Sequence, residues 1–81
     1  MSQDEILTGL AEILAAVAGA SQTEITPETS FASLGIDSLA MVEVVVAAED
    51  RFGLLIDDEH WPCFTTVQDA TRYIGQAAAL P

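Results

Sequence analysis

The sequence contains no lysine, and its only arginines are Arg51 and Arg72, against thirteen Asp and Glu residues. The formal net charge at pH 7 is therefore −11 in a chain of 81 residues. Nucleic-acid binding depends on cationic side chains that neutralise phosphates, so this composition argues strongly against it. Anionic membranes are disfavoured for the same reason. The charge favours basic protein partners, because complementary fields speed and orient association.

Cysteine is equally scarce, since Cys63 is the only one. No internal disulfide is possible, which fits a reducing compartment and predicts a cytoplasmic protein. One Cys and one His, His60, are too few for a Cys/His zinc site, and the acidic run 57–59 lacks the alternation of a calcium loop. We therefore predict no metal site. No secretory signal and no apolar span of roughly 20 residues is recognisable, so we predict no membrane insertion.

The hydrophobic content of 51% predicts a folded chain, and 81 residues suffice for one domain, 1–81, near the lower size limit. Ser2 and Glu5 form a capping-box pattern, and Gly19 is a natural helix stop. The residues between them that recur at helical spacing are apolar: Ile6, Leu10, Ile13, Leu14 and Val17. This pattern predicts a first helix from Gln3 to Ala18.

Residues 19–37 are rich in Ser, Thr, Gly and Pro and predict a long first loop. A connection of this length is unusual unless it is anchored. We expect Ile25, Phe31 and Leu34 to anchor it in the core, and Pro27 to begin a brief helical turn.

The next element is predicted to be a helix from Ser38 to Phe52 that ends at Gly53. The β-branched run 42–46 would also suit a strand, but fifteen continuous residues favour a helix. One row is assigned to the core: Val44, Ala48 and Phe52. A second row lies on a different side: Leu39, Val42, Glu43, Val46 and Asp50. The pattern leaves open whether other helices cover this second row or a partner does.

Residues 54–56 are expected to return the chain to the core, and the acids 57–59 to open a short third helix that Pro62 limits. Thr66 and Asp69 predict a capping interaction at the start of the last helix, from Val67 to Ala78. Its inward residues are Val67, Ala70 and Ile74, with Tyr73 at the edge. The predicted fold is all-α: a small four-helix bundle with three main helices, one short third helix and a long first loop.

Ser38 is the residue with the clearest chemical potential, because a helix N-terminus favours a phosphate ester. By itself, an Asp-Ser-Leu tripeptide is more typical of a simple N-cap. A hydrolase using Ser38 and His60 lacks a recognisable nucleophile elbow, and the chain is small for a substrate cavity. We therefore predict no catalytic residue. His60 is expected to be a surface or partly buried residue, and Cys63 is expected to be a packed thiol.

Four stretches resemble the acyl carrier protein family: Phe31, the segment Leu34-Gly35-Ile36-Asp37-Ser38-Leu39, residues 41–52 and residues 65–74. The resemblance covers nearly the whole chain and is closest to discrete carriers of bacterial, especially actinobacterial, type II synthases. It implies that Ser38 receives 4′-phosphopantetheine from coenzyme A, with Asp37 assisting attachment. The terminal thiol of that arm would bear the acyl group, so the chain would be a non-catalytic carrier.

The resemblance also implies a docking surface on the second helix, formed by Leu39, Met41, Val42, Glu43, Val46, Glu49 and Asp50. Its expected partners carry basic patches and comprise phosphopantetheinyl transferase, ketosynthase, acyltransferase, ketoreductase and dehydratase. Exposed ion pairs are individually weak, which suits a carrier that must release each partner quickly. The free protein is expected to be a monomer.

Two departures from the family pattern concern the region after the second helix. Asp57 stands where a Pro is usual, and the segment 60–64, which includes Trp61, replaces a more acidic and polar one. Core packing is the favoured role for Trp61, with the acyl pocket and partner contact as alternatives. These departures favour a polyketide or other specialised pathway. The alternatives are a housekeeping fatty-acid carrier and an unmodified acidic protein-interaction domain.

Overall fold

The structure is a computed structural model that describes residues 2–57 and 64–79. Within these ranges it contains three α-helices and two short 3₁₀ turns, and no strand longer than an isolated bridge between Ser30 and Thr66. The helices are α1, Gln3–Ala18; α2, Ser38–Phe52; and α3, Val67–Ala79. The all-α prediction is confirmed. The predicted short third helix lies largely on residues 58–63, outside the described residues.

Local capping explains where the helices begin and end. Ser2 accepts a hydrogen bond from the Glu5 N–H at 3.2 Å, which confirms Ser2 as the N-cap. The Glu5 carboxylate accepts from the Ser2 hydroxyl at 3.2 Å, whereas a reciprocal capping box would use the Ser2 backbone N–H. Gly19 and Gly53 end α1 and α2 in the left-handed conformation, with φ of 70° and 67°. The predicted bounds of α1 and α2 are confirmed, and α3 is one residue longer than predicted.

The start of α3 is capped by Thr66 and Asp69, as predicted. The Asp69 carboxylate accepts hydrogen bonds from the N–H groups of Thr65, at 2.9 Å, and Thr66, at 3.1 Å. The Asp69 N–H in turn donates to Thr66 Oγ1 at 3.4 Å. The two backbone hydrogen bonds favour the ionised carboxylate, and they hold the pKa of Asp69 below its ordinary value.

Helix α1 packs against both α2 and α3, so the core lies around it. The largest fully buried side chains come from α1 and α3: Ile6, Leu10, Leu14, Val67 and Ile74. In α2, Val44 and Ala48 are buried and Phe52 is half-buried against the core, as its row predicted. The run 42–46 is helical, because the packing of the buried row that includes Val44 compensates for the weak helix propensity of the run.

The first loop is held in place by side chains and backbone. Ile25 and Phe31 are buried and Leu34 packs against the core, which confirms the three anchors. The Phe31 N–H donates to Thr65 O at 3.0 Å, and the Val67 N–H donates to Thr29 O of the loop at 2.9 Å. These bonds across the chain join the loop to the start of α3.

Two sequence-based expectations in the connecting segments are wrong. The helical turns of the first loop are Gln22–Glu24 and Ala32–Leu34, whereas Pro27 lies in a tight turn closed by a bond between Thr29 N–H and Thr26 O. In the segment 54–56, Ile56 is buried, but Leu55 is 81% exposed. The segment is not helical, so neighbouring side chains diverge and only part of it reaches the core.

Candidate functional site

Ser38 is the first residue of α2, and the helix is capped by its neighbour. Asp37 adopts an extended conformation, and its Oδ1 accepts a hydrogen bond from the Ala40 N–H at 2.8 Å. The tripeptide therefore does contain an N-cap, but the capping residue is Asp37 and not Ser38. The Ser38 side chain is exposed, and it has no hydrogen-bond partner among the described residues.

The position of Ser38 depends on the turn that precedes it in the chain. Gly35 has a φ of 75°, a conformation that side chains disfavour, and its N–H donates to Ala32 O at 3.0 Å. The Ile36 N–H donates to Phe31 O at 3.1 Å, and the Ile36 side chain is buried. The turn and this anchor fix the backbone one residue before Asp37, so that α2 starts at the surface.

The start of α2 is electrostatically suited to an anion. The first N–H groups of a helix lack intrahelical partners, and the helix dipole places a partial positive charge there. Asp37 satisfies one of these donors, that of Ala40. A phosphate ester on Ser38 would thus lie at the favourable end of α2.

An open groove of about 520 Å³ lies beside Ser38. Its walls are mainly apolar and comprise Phe31, Ala32, Ile36, Asp37, Ser38, Met41, Phe64 and Thr65. The Phe64 ring also packs against Tyr73, with ring centroids 5.5 Å apart. The sequence did not single out Phe64 or Thr65 for this site, because only the hydrogen bonding between the first loop and the start of α3 brings them to it.

The second row of α2 forms an exposed apolar surface with acidic side chains. Leu39, Val42 and Val46 are 76%, 46% and 57% exposed. Glu43 and Asp50 are also exposed. The sequence left open whether other helices or a partner cover this second row. The described helices cover the first row and leave the second exposed. We call these five residues the outer face of α2.

Two residues assigned to the docking surface do not lie on the outer face. Met41 is buried, at 7% exposure, because it precedes Val44 by one helical turn and shares the core row. Glu49 is half-buried, and its Oε2 accepts a hydrogen bond from the Ile56 N–H at 2.8 Å. The spacing of Met41 from Val44 was a usable signal in the sequence, whereas the bond of Glu49 depends on the path of the chain after α2.

Other predictions fall on residues outside the description. The predictions for His60, Trp61, Pro62 and Cys63 concern these residues. The hydrolase with Ser38 and His60 depends on the position of His60, so it also falls outside the described residues. Within residues 2–57 and 64–79, no three His, Cys, Asp or Glu side chains are grouped so as to hold a metal ion. No helix in these ranges is long and apolar enough to cross a membrane.

Comparison with known proteins agrees with this geometry. Residues 8–74 match the family described as "Phosphopantetheine attachment site". The chain is 53% identical to an acyl carrier protein of Acidothermus cellulolyticus, over 95% of this chain and 93% of that protein. It is 50% identical to a meromycolate extension acyl carrier protein of Mycolicibacterium aurum, over 90% of this chain and 76% of that protein. A solved acyl carrier protein from Enterococcus faecalis superposes with a TM-score of 0.79 at 29% identity, over 95% and 99% of the two chains.

The fold and the family match define a carrier of a covalent prosthetic group rather than an enzyme. The chain belongs to the acyl carrier protein family. It is a non-catalytic carrier with a covalently attached 4′-phosphopantetheine. Ser38 fits this group, because its hydroxyl is exposed, is not used for capping, and lies beside an open groove.

Proposed function

We propose that Ser38 Oγ is the attachment point of the prosthetic group. The observation that supports this most directly is that Asp37 caps α2 through Oδ1, which leaves the neighbouring hydroxyl available. When bound, the group supplies a terminal thiol that holds an acyl chain as a thioester. Ser38 acts as a tether, and the helix dipole of α2 favours the phosphate at this position.

Asp37 is proposed to assist attachment as well as to cap the helix. One carboxylate oxygen is engaged with the Ala40 N–H, and the side chain is exposed at the start of α2. Its negative charge is suited to attract the magnesium ion that accompanies the phosphate during transfer. This role requires the charge of Asp37, whereas capping requires only an acceptor oxygen.

The outer face of α2 is proposed as the docking surface for the transferase and the synthase enzymes. Its apolar members, Leu39, Val42 and Val46, would seat in a shallow recess, while Glu43 and Asp50 meet Lys or Arg. Such ion pairs mainly set the association rate and orientation, so release stays fast. The partners in this proposal are phosphopantetheinyl transferase, ketosynthase, acyltransferase, ketoreductase and dehydratase.

The biological pathway is proposed at two levels. We infer that the chain, as one carrier domain in the cytoplasm, presents starter or growing acyl chains to a fatty-acid or polyketide synthase. The preference for a specialised polyketide pathway is supported by the departures from the family pattern at Asp57 and Trp61. Intact-mass analysis of the carrier isolated from its host would distinguish the two, because a polyketide intermediate retains β-keto oxygens that a saturated fatty acyl chain lacks.

Attachment is tested by incubating the protein with coenzyme A, Mg²⁺ and a broad-specificity phosphopantetheinyl transferase. We expect the mass of one phosphopantetheine group to be added to the wild type and to Ser33→Ala, a control in the same region. No addition is expected on Ser38→Ala. Addition that persists on Ser38→Ala contradicts the assignment, and full biological function of that variant would favour the unmodified interaction domain.

A further inference from the structure

Asp69 holds the backbone in front of α3 through a single side-chain oxygen. Its Oδ2 accepts hydrogen bonds from the Thr65 N–H, at 2.9 Å, and the Thr66 N–H, at 3.1 Å. The bond with Thr66 belongs to a capping box, in which the third helical residue reaches back to the N-cap. The bond with Thr65 lies one residue outside the helix cap. Asp69 therefore fixes non-helical chain as well as the start of α3.

The chain that Asp69 fixes is paired with the first loop. Thr66 forms an isolated antiparallel bridge with Ser30. The Thr65 carbonyl accepts a hydrogen bond from the Phe31 N–H at 3.0 Å. Thr65 is thus bonded on both sides, to Asp69 through its N–H and to the loop through its carbonyl. The position of the loop and that of Asp69 are therefore coupled through Thr65.

This pairing forms one wall of the groove beside Ser38. Phe31 and Thr65, which the hydrogen bond joins, both line the groove, and so does Phe64, which directly precedes Thr65 in the chain. The Phe64 ring packs against Tyr73 of α3, with ring centroids 5.5 Å apart. A displacement of Thr65 would therefore shift Phe64 and release the bond that holds Phe31.

The groove is suited to the hydrocarbon part of an acyl chain carried on Ser38. Its volume of about 520 Å³ is within the range of small-molecule pockets, roughly 300–1,000 Å³. Ser38 is itself part of the lining, together with apolar side chains such as Ile36 and Met41. An arm attached to Ser38 can fold back on the protein, and the hydrophobic effect favours burial of an alkyl chain in the groove. The chemistry of the lining therefore favours the carried chain as the occupant.

We propose that Asp69 is a positioning residue for the carried acyl chain: by bonding the Thr65 N–H, it holds the Phe64 wall of the groove where this wall shields the chain and its thioester from water. The role of Asp69 rests on the proposed function, because the chain reaches the groove from an arm on Ser38. Asp69 acts through its acceptor oxygen, since it is not among the residues that line the groove. The backbone hydrogen bonds that lower the pKa of Asp69 also keep it ionised at neutral pH, so both bonds persist there.

The wild type and the variants are loaded with acetyl- or octanoyl-phosphopantetheine from the corresponding coenzyme A thioester, and loading is verified by intact mass. Hydroxylamine then attacks the thioester carbonyl, which forms a hydroxamate and frees the thiol of the arm. Each rate is divided by that of the free coenzyme A thioester. In the wild type, the octanoyl rate should be several-fold below the acetyl rate, because only the longer chain fills the groove. Equal normalised rates would overturn the proposal.

The variants separate positioning from stability. Asp69→Ala should raise the normalised octanoyl rate about fivefold, as expected for one lost hydrogen bond, and leave the acetyl rate unchanged. Asp69→Asn keeps an acceptor oxygen and should stay within about twofold of the wild type. Gly9→Ala is the control for lost stability, since its Cβ would meet the Phe52 ring at 2.8 Å, at the end of α2 away from Ser38. An equal rise in Asp69→Ala and Gly9→Ala would overturn the proposal.

Amide hydrogen exchange of the octanoyl-loaded protein measures the wall directly. The Phe31 N–H, compared with the Leu14 N–H in the core of α1, should exchange faster in Asp69→Ala than in the wild type or Asp69→Asn, because its acceptor on Thr65 is released. An unchanged ratio of the two exchange rates in Asp69→Ala would contradict the positioning role. Failure of the wild type to be loaded at all would instead overturn the proposed function.

Discussion

The Oδ1 atom of Asp37 accepts a hydrogen bond from the backbone N–H of Ala40 at 2.8 Å, and this bond caps α2. Because the cap comes from Asp37, the adjacent Ser38 is the first helical residue, and its hydroxyl remains available for modification. A carrier needs its tether to be both fixed in position and chemically accessible. Asp37 fixes the position by capping the helix, and Ser38 keeps an accessible hydroxyl.

Substitutions of Asp37 should separate its capping role from its charge. Asp37→Ala removes the acceptor and should lower the free energy of unfolding by about 1 kcal/mol. That loss corresponds to a fall in Tm of roughly 4–8 °C for a chain of this size. Asp37→Asn keeps an acceptor oxygen and should retain most of the stability. Thermal unfolding followed by circular dichroism measures both.

Loading rates complete the Asp37 experiment. If the charge assists attachment, phosphopantetheinyl transferase should modify Asp37→Asn more slowly than the wild type although the fold is intact. Equal rates for the wild type and Asp37→Asn would restrict Asp37 to capping.

Gly9 and Gly75 should respond in opposite ways to replacement by alanine. A Cβ at Gly9 would lie 2.8 Å from the Phe52 ring, which packs between α1 and α2. Gly9→Ala should therefore destabilise the protein by about 1–3 kcal/mol through overpacking. At Gly75 the crowding atom belongs to the exposed, flexible side chain of Gln3, which can move away. Gly75→Ala should be neutral or stabilising by up to about 1 kcal/mol.

Urea unfolding of the two alanine variants provides the comparison, since each serves as the control for the other. A stable Gly9→Ala protein would mean that the Phe52 ring moves without loss of packing. A strongly destabilised Gly75→Ala protein would mean that Gln3 is held more firmly than its exposure indicates.

Asp69 should make stability depend on acid pH. Its pKa is lowered in the folded state by the backbone hydrogen bonds from Thr65 and Thr66, relative to an ordinary value near 3.8. A depressed folded pKa contributes stability that is fully present above the unfolded pKa and is lost as the pH falls through the folded pKa. The wild type should exceed Asp69→Ala in stability at pH 7, and this difference should shrink below about pH 4.

Denaturant unfolding of the wild type and Asp69→Ala across pH 2–7 follows this effect. Asp4→Ala, an exposed acid of α1, provides a matched charge control. A difference between the wild type and Asp69→Ala that stays constant over the whole pH range contradicts the role of the ionised carboxylate.

Salt should stabilise the folded chain, because thirteen acids face only two arginines. Raising the ionic strength from about 0.01 to 0.15 M shortens the screening length from about 30 to 8 Å, which weakens the mutual repulsion of the acids. The Tm at pH 7 should rise accordingly. Near the sequence pI of about 4.1 the same salt change should have little effect. An unchanged Tm at pH 7 would count against significant self-repulsion.

Local sequence patterns were sufficient to predict the main helices, because each boundary is set by nearby residues. Ser2 with Glu5 caps α1, Gly53 ends α2, and Thr66 with Asp69 caps α3. These interactions span at most a few residues, so they can be read from a single sequence. The importance of Ser38 came from the same kind of local pattern together with a family resemblance.

Long-range packing determined the functional surface. The resemblance predicts that both Leu39 and Met41 take part in docking, yet Leu39 is exposed and Met41 is buried, because α1 packs against one side of α2. Phe64 reaches the Ser38 groove through hydrogen bonding between the first loop and the start of α3, across more than thirty residues. Local patterns thus determine where helices start and stop. The exposure of Leu55 and the hydrogen bond between Glu49 and the Ile56 N–H depend instead on the path of the chain in the folded protein. The physical reason is that capping is a local interaction, whereas burial depends on contacts between residues distant in sequence.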